Sequence, residues 1–165
     1  MPFKRPYTGL NKPLVGAQIN RTHPLSQGLM RQFLFAEGGG TALADLVGGR
    51  NLATSNAPPW GNSPYGPKLT YNGTNQQATG NDAGLPTGTN PVTIAVLFRA
   101  TAAASNMCLL GYGQTTTNNN NFHVMCSGGK FKLGAVNVNA AGTLTVNDGL
   151  WHLGVGIFSG GNVLS

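Results

Sequence analysis

Acidic side chains are almost missing from this sequence: Glu37, Asp45, Asp82 and Asp148 are the four it holds in 165 residues. Charge of either sign is scarce, at 8% of positions. A soluble helical body solvates its outer faces with Lys and Glu, so this composition argues against one. The shortage of acids also bears on chemistry. A glycosidase sets two carboxylates across one sugar ring, one as acid and the other as nucleophile or base. Here three of the four acids fall in loop or turn sequence and none is paired on a strand. The two cysteines, Cys108 and Cys126, lack Cys-x-x-Cys spacing, and with His123 and His152 they do not make a metal-ligand pattern. A hydrolase triad needs a His oriented by an acid beside a nucleophile, and His23, His123 and His152 stand without such a motif. These absences point to a protein that is not an enzyme, with no catalytic residues, no cofactor and no metal.

Long apolar runs are absent as well. No window approaches the length of a membrane span. Residues 1–20 contain Pro2, Pro6 and Pro13 and no apolar segment of a secretory signal, so synthesis in the cytoplasm without a signal peptide is expected. Two glycosylation sequons, Asn20-Arg21-Thr22 and Asn72-Gly73-Thr74, carry little meaning without such a signal.

What the chain has instead is glycine, 25 residues of it, with long Asn/Thr-rich stretches and a concentration of positive charge at one end. Lys4, Arg5, Lys12, Arg21 and Arg31 all precede the first acid, Glu37, and the remainder is nearly neutral. A nucleic-acid-binding face needs bases clustered across the domain, so no nucleic-acid partner is expected. Residues 1–28, rich in Pro and basic side chains and without period, read as an extended arm that orders against another surface. Lys4, Arg5, Lys12 and Arg21 are its candidate docking residues.

Residues 29–165 read as strands and turns. Leu29-Met30-Arg31-Gln32-Phe33-Leu34-Phe35 predicts a first strand, and Ala42-Leu43-Ala44-Asp45-Leu46-Val47 a short helical turn stopped by Gly48-Gly49. Residues 55–68, with four prolines around Trp60 and Tyr65, predict a loop. Val92 to Arg99 is a strand with Val92, Ile94, Val96 and Phe98 on one face. Met107 to Gly113 and Phe122 to Cys126 form a hairpin whose symmetric closure sets Tyr112 against Phe122, Leu110 against Val124 and Cys108 against Cys126. That register makes two buried, reduced cysteines the first reading and a cross-strand disulfide the second, for a chain working outside the cell. Phe131 to Val138 and Leu144 to Val146 come next. After the Asn147-Asp148-Gly149 turn, Trp151, Leu153, Val155 and Ile157 alternate with His152, Gly154, Gly156 and Phe158; the first set reads as the core face. Short strands, frequent turns and almost no amphipathic helix predict an all-β sandwich.

Four segments, in order, resemble the laminin-G-like, concanavalin A-like jelly-roll family. They are Phe33 to Thr41 with Asp45, Leu69-Thr70-Tyr71-Asn72-Gly73, Val92 to Arg99, and Asp148-Gly149-Leu150-Trp151-His152. Leu97 stands where the family commonly has Trp, and Thr74-Asn75-Gln76-Gln77 replaces the acids of a calcium-binding turn. The resemblance implies an antiparallel β-sandwich with an N-terminal arm, short of the family's closing strands at its C-terminal end. The segment His23-Pro24-Leu25-Ser26-Gln27-Gly28-Leu29 resembles the opening of such domains in bacteriophage structural genes. The expectation is a virion structural protein, a capsid decoration, cement or tail-associated subunit, with other virion proteins and copies of itself as partners. The alternative is a carbohydrate-binding adhesin module of a longer tail-fibre or cell-surface protein. Trp60, Tyr65 and Tyr112 are its candidate glycan platforms, because sugar binding needs aromatic faces beside amide and hydroxyl donors.

Overall fold

The computed structural model describes residues 18–101, 106–113, 121–135, 138–160 and 163–164. They form a nearly all-β, antiparallel protein. The chain divides into two compact units, Met1–Asn81 and Asp82–Ser165, a division that falls inside the span expected to form one sandwich.

In the first unit a 3-10 turn, Pro24–Ser26, comes after His23, whose imidazole Nδ1 accepts from the Leu25 N–H. The strand expected over 29–35 is reduced to one bridge, Phe33 to Asp45, and Phe35 has a positive φ that strand backbone does not adopt. The expected helical turn is likewise replaced. Ala42–Leu43 is a strand, β1, and the chain then folds around the Asp45 carboxylate. β1 pairs with β2 (Leu52–Ser55). The expected Pro-rich loop contains a hairpin, β3 (Trp60–Ser63) and β4 (Gly66–Leu69). Its prolines sit at the turn and at positions such as Pro67 in a two-stranded ribbon, where an edge has no N–H to lose. β5 (Gln77–Thr79) closes a three-stranded sheet of order β1-β2-β5.

The second unit holds the larger core. β6 (Val92–Arg99), β11 (Trp151–Gly160) and β12 (Val163–Leu164) make one sheet, in the order β12-β11-β6. Between β6 and β11 in sequence, β7 (Met107–Gly113), β8 (Asn121–Ser127), β9 (Lys130–Ala135) and β10 (Val138–Thr145) form a four-stranded meander, β10-β9-β8-β7. The two sheets face each other across an apolar layer. Ile94, Phe122, Val124, Leu133 and Phe158 make one buried cluster, and Phe98, Ala100, Cys126 and Val146 another. The rings of Phe122 and Phe158 lie 4.8 Å apart, and those of Phe98 and Phe131 stack at 5.9 Å.

β6 has the expected boundaries and the expected inward face. For β11 the faces are reversed: His152, Gly154, Gly156 and Phe158 point inward, while Leu153, Val155 and Ile157 point out. The glycines explain the reversal. A Cβ on Gly154 would run into the Phe131 ring, and one on Gly156 would lie 2.9 Å from Leu133 and 3.0 Å from Val124. The facing sheet approaches so closely here that only glycine leaves room.

The hairpin register holds for Tyr112 with Phe122 and Leu110 with Val124. A bulge between Cys108 and Leu110 then shifts the pairing, so that Cys126 faces Met107 and Cys108 faces Met125. Cys126 is buried and Cys108 exposed, which corrects the expectation of two buried thiols; both are free.

Candidate functional site

All four carboxylates are engaged with backbone N–H groups. Asp45 is the most heavily used. Its Oδ1 accepts from Val47 at 3.0 Å and Gln32 at 3.2 Å, its Oδ2 from Gly48 at 3.0 Å and Arg50 at 3.2 Å. The Arg31 guanidinium stands 3.4 Å away. Burial pushes its pKa up, but the four N–H donors outweigh that and the carboxyl is held below its ordinary value. Glu37 accepts from the Ala44 N–H at 2.7 Å, and Asp82 from the Gly113 N–H at 3.1 Å. Asp148 accepts from the Leu150 N–H at 2.9 Å and from the His152 ring at 2.8 Å. The histidine contact, with the Leu150 N–H behind it, lowers the Asp148 pKa. These are turn-setting geometries, and the His152 ring packs on Phe98 at 5.8 Å. His123 has its Nδ1 on Asn121, and burial lowers its pKa. Among the described residues no group of three His, Cys, Asp or Glu side chains gathers as a metal site. Nor is any helix among them long and apolar enough to cross a membrane.

The candidate arm and glycan residues fall in different surroundings. Lys4, Arg5 and Lys12 lie outside the described residues. Arg21 is exposed, and its guanidinium donates to the Val47 carbonyl, at the rim of the Asp45 turn. Trp60 lies in β3, with its indole N–H donating to the Gly40 carbonyl at 2.9 Å. Tyr65 sits in the turn of the same hairpin, its N–H on the Ser63 hydroxyl. Tyr112 belongs to the second unit and turns inward against Phe122, ring centroids 5.6 Å apart. Its hydroxyl is buried without a partner, and burial, reinforced by Asp82, pushes its pKa up to about 12. A glycan platform presents its ring face to water, so the inward turn of Tyr112 removes it from that role.

The feature that sequence reasoning missed is the outer face of the β6–β11 pair. Antiparallel register sets Arg99 opposite Trp151, Leu97 opposite Leu153, Ala95 opposite Val155 and Thr93 opposite Ile157. Leu97 is 43% exposed, Leu153 70%, Val155 46% and Ile157 43%. Two adjacent strands therefore present a continuous apolar face with one charge, Arg99, at its end. The outer face of the other sheet is more polar, with Met125 as its apolar member on β8 and with Asn121 and Ser127 buried. There Asn121, His123 and Ser127 of β8 lie beside Lys130 and Lys132 of β9, whose ammonium groups bond to Thr143, Thr145 and Ser127. The signal for this inversion was in the sequence: two glycines at alternate positions of β11 mark the side that another sheet must approach.

Comparisons with protein-family models, with curated proteins and with solved structures find no match to this chain.

Proposed function

We propose that the chain is a non-catalytic structural subunit of a larger particle, most simply a bacteriophage virion, docking through its basic N-terminal segment and displaying a laminin-G-like sandwich. The observation that carries this reading is the division of charge between the two units. Residues 1–81 hold seven Lys and Arg against Glu37 and Asp45, whereas residues 82–165 hold Arg99, Lys130 and Lys132 against Asp82 and Asp148. A basic unit joined to a nearly neutral one has a built-in polarity: one is drawn to an acidic surface and the other is indifferent to it. The engagement of every carboxylate in holding backbone supports a structural role. So does a sequence poor in charge and rich in Gly, Asn and Thr. Head or tail, the surface met by the arm is another virion protein.

The test is particle association in the native host. Full-length chain and the variant Lys4→Gln/Arg5→Gln/Lys12→Gln/Arg21→Gln are tagged and fractionated on a density gradient. The native chain is expected to band with particles, and the variant to stay at the top, at least ten-fold depleted from the band. Equal banding of the two, or absence of the native chain from particles, would defeat the reading.

A further inference from the structure

The apolar face of β6 and β11 contains none of the basic residues proposed above for docking, so an inference about it stands apart from that reading. Exposed apolar side chains scattered singly are ordinary, but contiguous patches of several hundred Å² mark interaction sites. Here Leu97, Leu153, Val155 and Ile157 are contiguous by register, not scattered. We propose that this face is the contact between two copies of the chain, related by a twofold axis that lies in the plane of contact and runs across β6 and β11.

Three observations select a second copy as the occupant. The first is charge. The unit that carries the face, residues 82–165, holds three bases against two acids, so the +6 of the chain is concentrated in the other unit and this one adds little repulsion at the contact. A nucleic acid or an anionic membrane would want a basic rim, yet the face offers only Arg99. Lys130 and Lys132 lie on the outer side of the opposite sheet. The second is relief. The face alternates a bulky step, Leu97 with Leu153, and a small one, Ala95 with Val155. A twofold axis between these steps sets the leucines of each copy over the Ala–Val step of the other, which is how an isologous interface becomes self-complementary. The third is area. At their exposures the four large side chains present roughly 350 Å² of apolar surface, which Ala95, Thr93 and Trp151 extend to about 450–500 Å². Two copies closing over it remove about 1,000 Å² in all, the lower end of a specific, dissociable dimer. An interface below the standard size belongs to the weak, reversible class, so association is sought from about 1 µM upward.

Sedimentation equilibrium of the full chain from about 1 to 100 µM tests this. The native chain is expected to pass from the 17.1 kDa of one copy to twice that mass across the range. Leu153→Lys, a change at a 70% exposed side chain, is expected to weaken the dimer at least 100-fold with an unchanged circular dichroism spectrum. Val155→Ser serves as the second probe should Leu153→Lys fail to fold, with a loss of about ten-fold. Leu144→Lys is the control: that leucine is 76% exposed but lies on β10, and its dimer should match the native one. A native chain that stays monomeric throughout overturns the proposal. Flotation of that monomer with neutral phosphatidylcholine vesicles would assign the face to a bilayer instead. A dimer that survives both face substitutions, or is lost equally in Leu144→Lys, also overturns it by moving the interface elsewhere.

Discussion

At Asp45 a carboxylate that is nearly enclosed is satisfied on both oxygens, by four N–H donors and the Arg31 guanidinium. Sequence alone marks this residue as part of a family-like block but gives no reason for it, because its donors lie two to fourteen positions away and converge only after folding. The surrounding chain is equally specific: a Cβ on Gly48 would collide with the Arg31 side chain and sit 2.9 Å from Asp45 Oδ2. Asp45→Asn is nearly isosteric, but its amide nitrogen would face either Val47 and Gln32 or Gly48 and Arg50, setting donor against donor. The loss is expected to be about 2–4 kcal/mol of unfolding free energy, measured by urea titration at neutral pH. A change under about 0.5 kcal/mol would mean the carboxylate is replaceable by water and is not the organiser of this turn.

At the scale of elements, legibility in the sequence depends on whether a strand's two faces differ in kind. β6 is legible because Val92, Ile94, Val96 and Phe98 outweigh Thr93, Ala95, Leu97 and Arg99 in apolar bulk, and the larger side faces in. β11 misleads because its bulkier residues, Leu153, Val155 and Ile157, face out while glycine faces in. Period two fixes the alternation and leaves the choice of face to bulk, which here gives the wrong answer. The β3–β4 hairpin is hidden for a related reason: prolines suppress a strand reading, yet a short ribbon tolerates them at its free edges. In the hairpin of β7 and β8 a one-residue bulge separates the register that symmetry predicts from the one that forms, and only the cysteines are affected. The inward face of β11 makes a direct prediction. Gly154→Ala should cost about 1–3 kcal/mol, because the new methyl meets the Phe131 ring. Phe131→Leu pairs with it in a double-mutant cycle, expected to return a coupling of about 1 kcal/mol or more in the compensating sense. A neutral Gly154→Ala would mean the sheets do not pack as closely as the Phe131 contact requires.

For the whole molecule, the two units rest on different physics, and pH separates them. The first has few buried apolar side chains among its described residues, Leu43 foremost, and is organised by a carboxylate and by loop amides such as Asn72, whose Oδ1 accepts from three backbone N–H groups. The second is held by layers of aromatic and aliphatic side chains with no acid in the core. Because the Asp45 pKa is lowered in the folded state, its contribution is complete above the unfolded carboxylate value, near pH ~4, and is lost as pH falls through the folded one. Asp148 shifts in the same direction but is solvent-exposed at a surface turn, so its share is screened. Hydrogen exchange measured from about pH 6 down to about pH 2.5, corrected for intrinsic rates, should therefore show the Val47, Gly48, Arg50 and Gln32 amides losing protection first. The amides of Phe122, Val124 and Ile94, within the paired strands of the sandwich, should keep theirs to lower pH. Loss of both sets at one pH would show that the two units share a single cooperative transition and that Asp45 does not set the acid limit of its own.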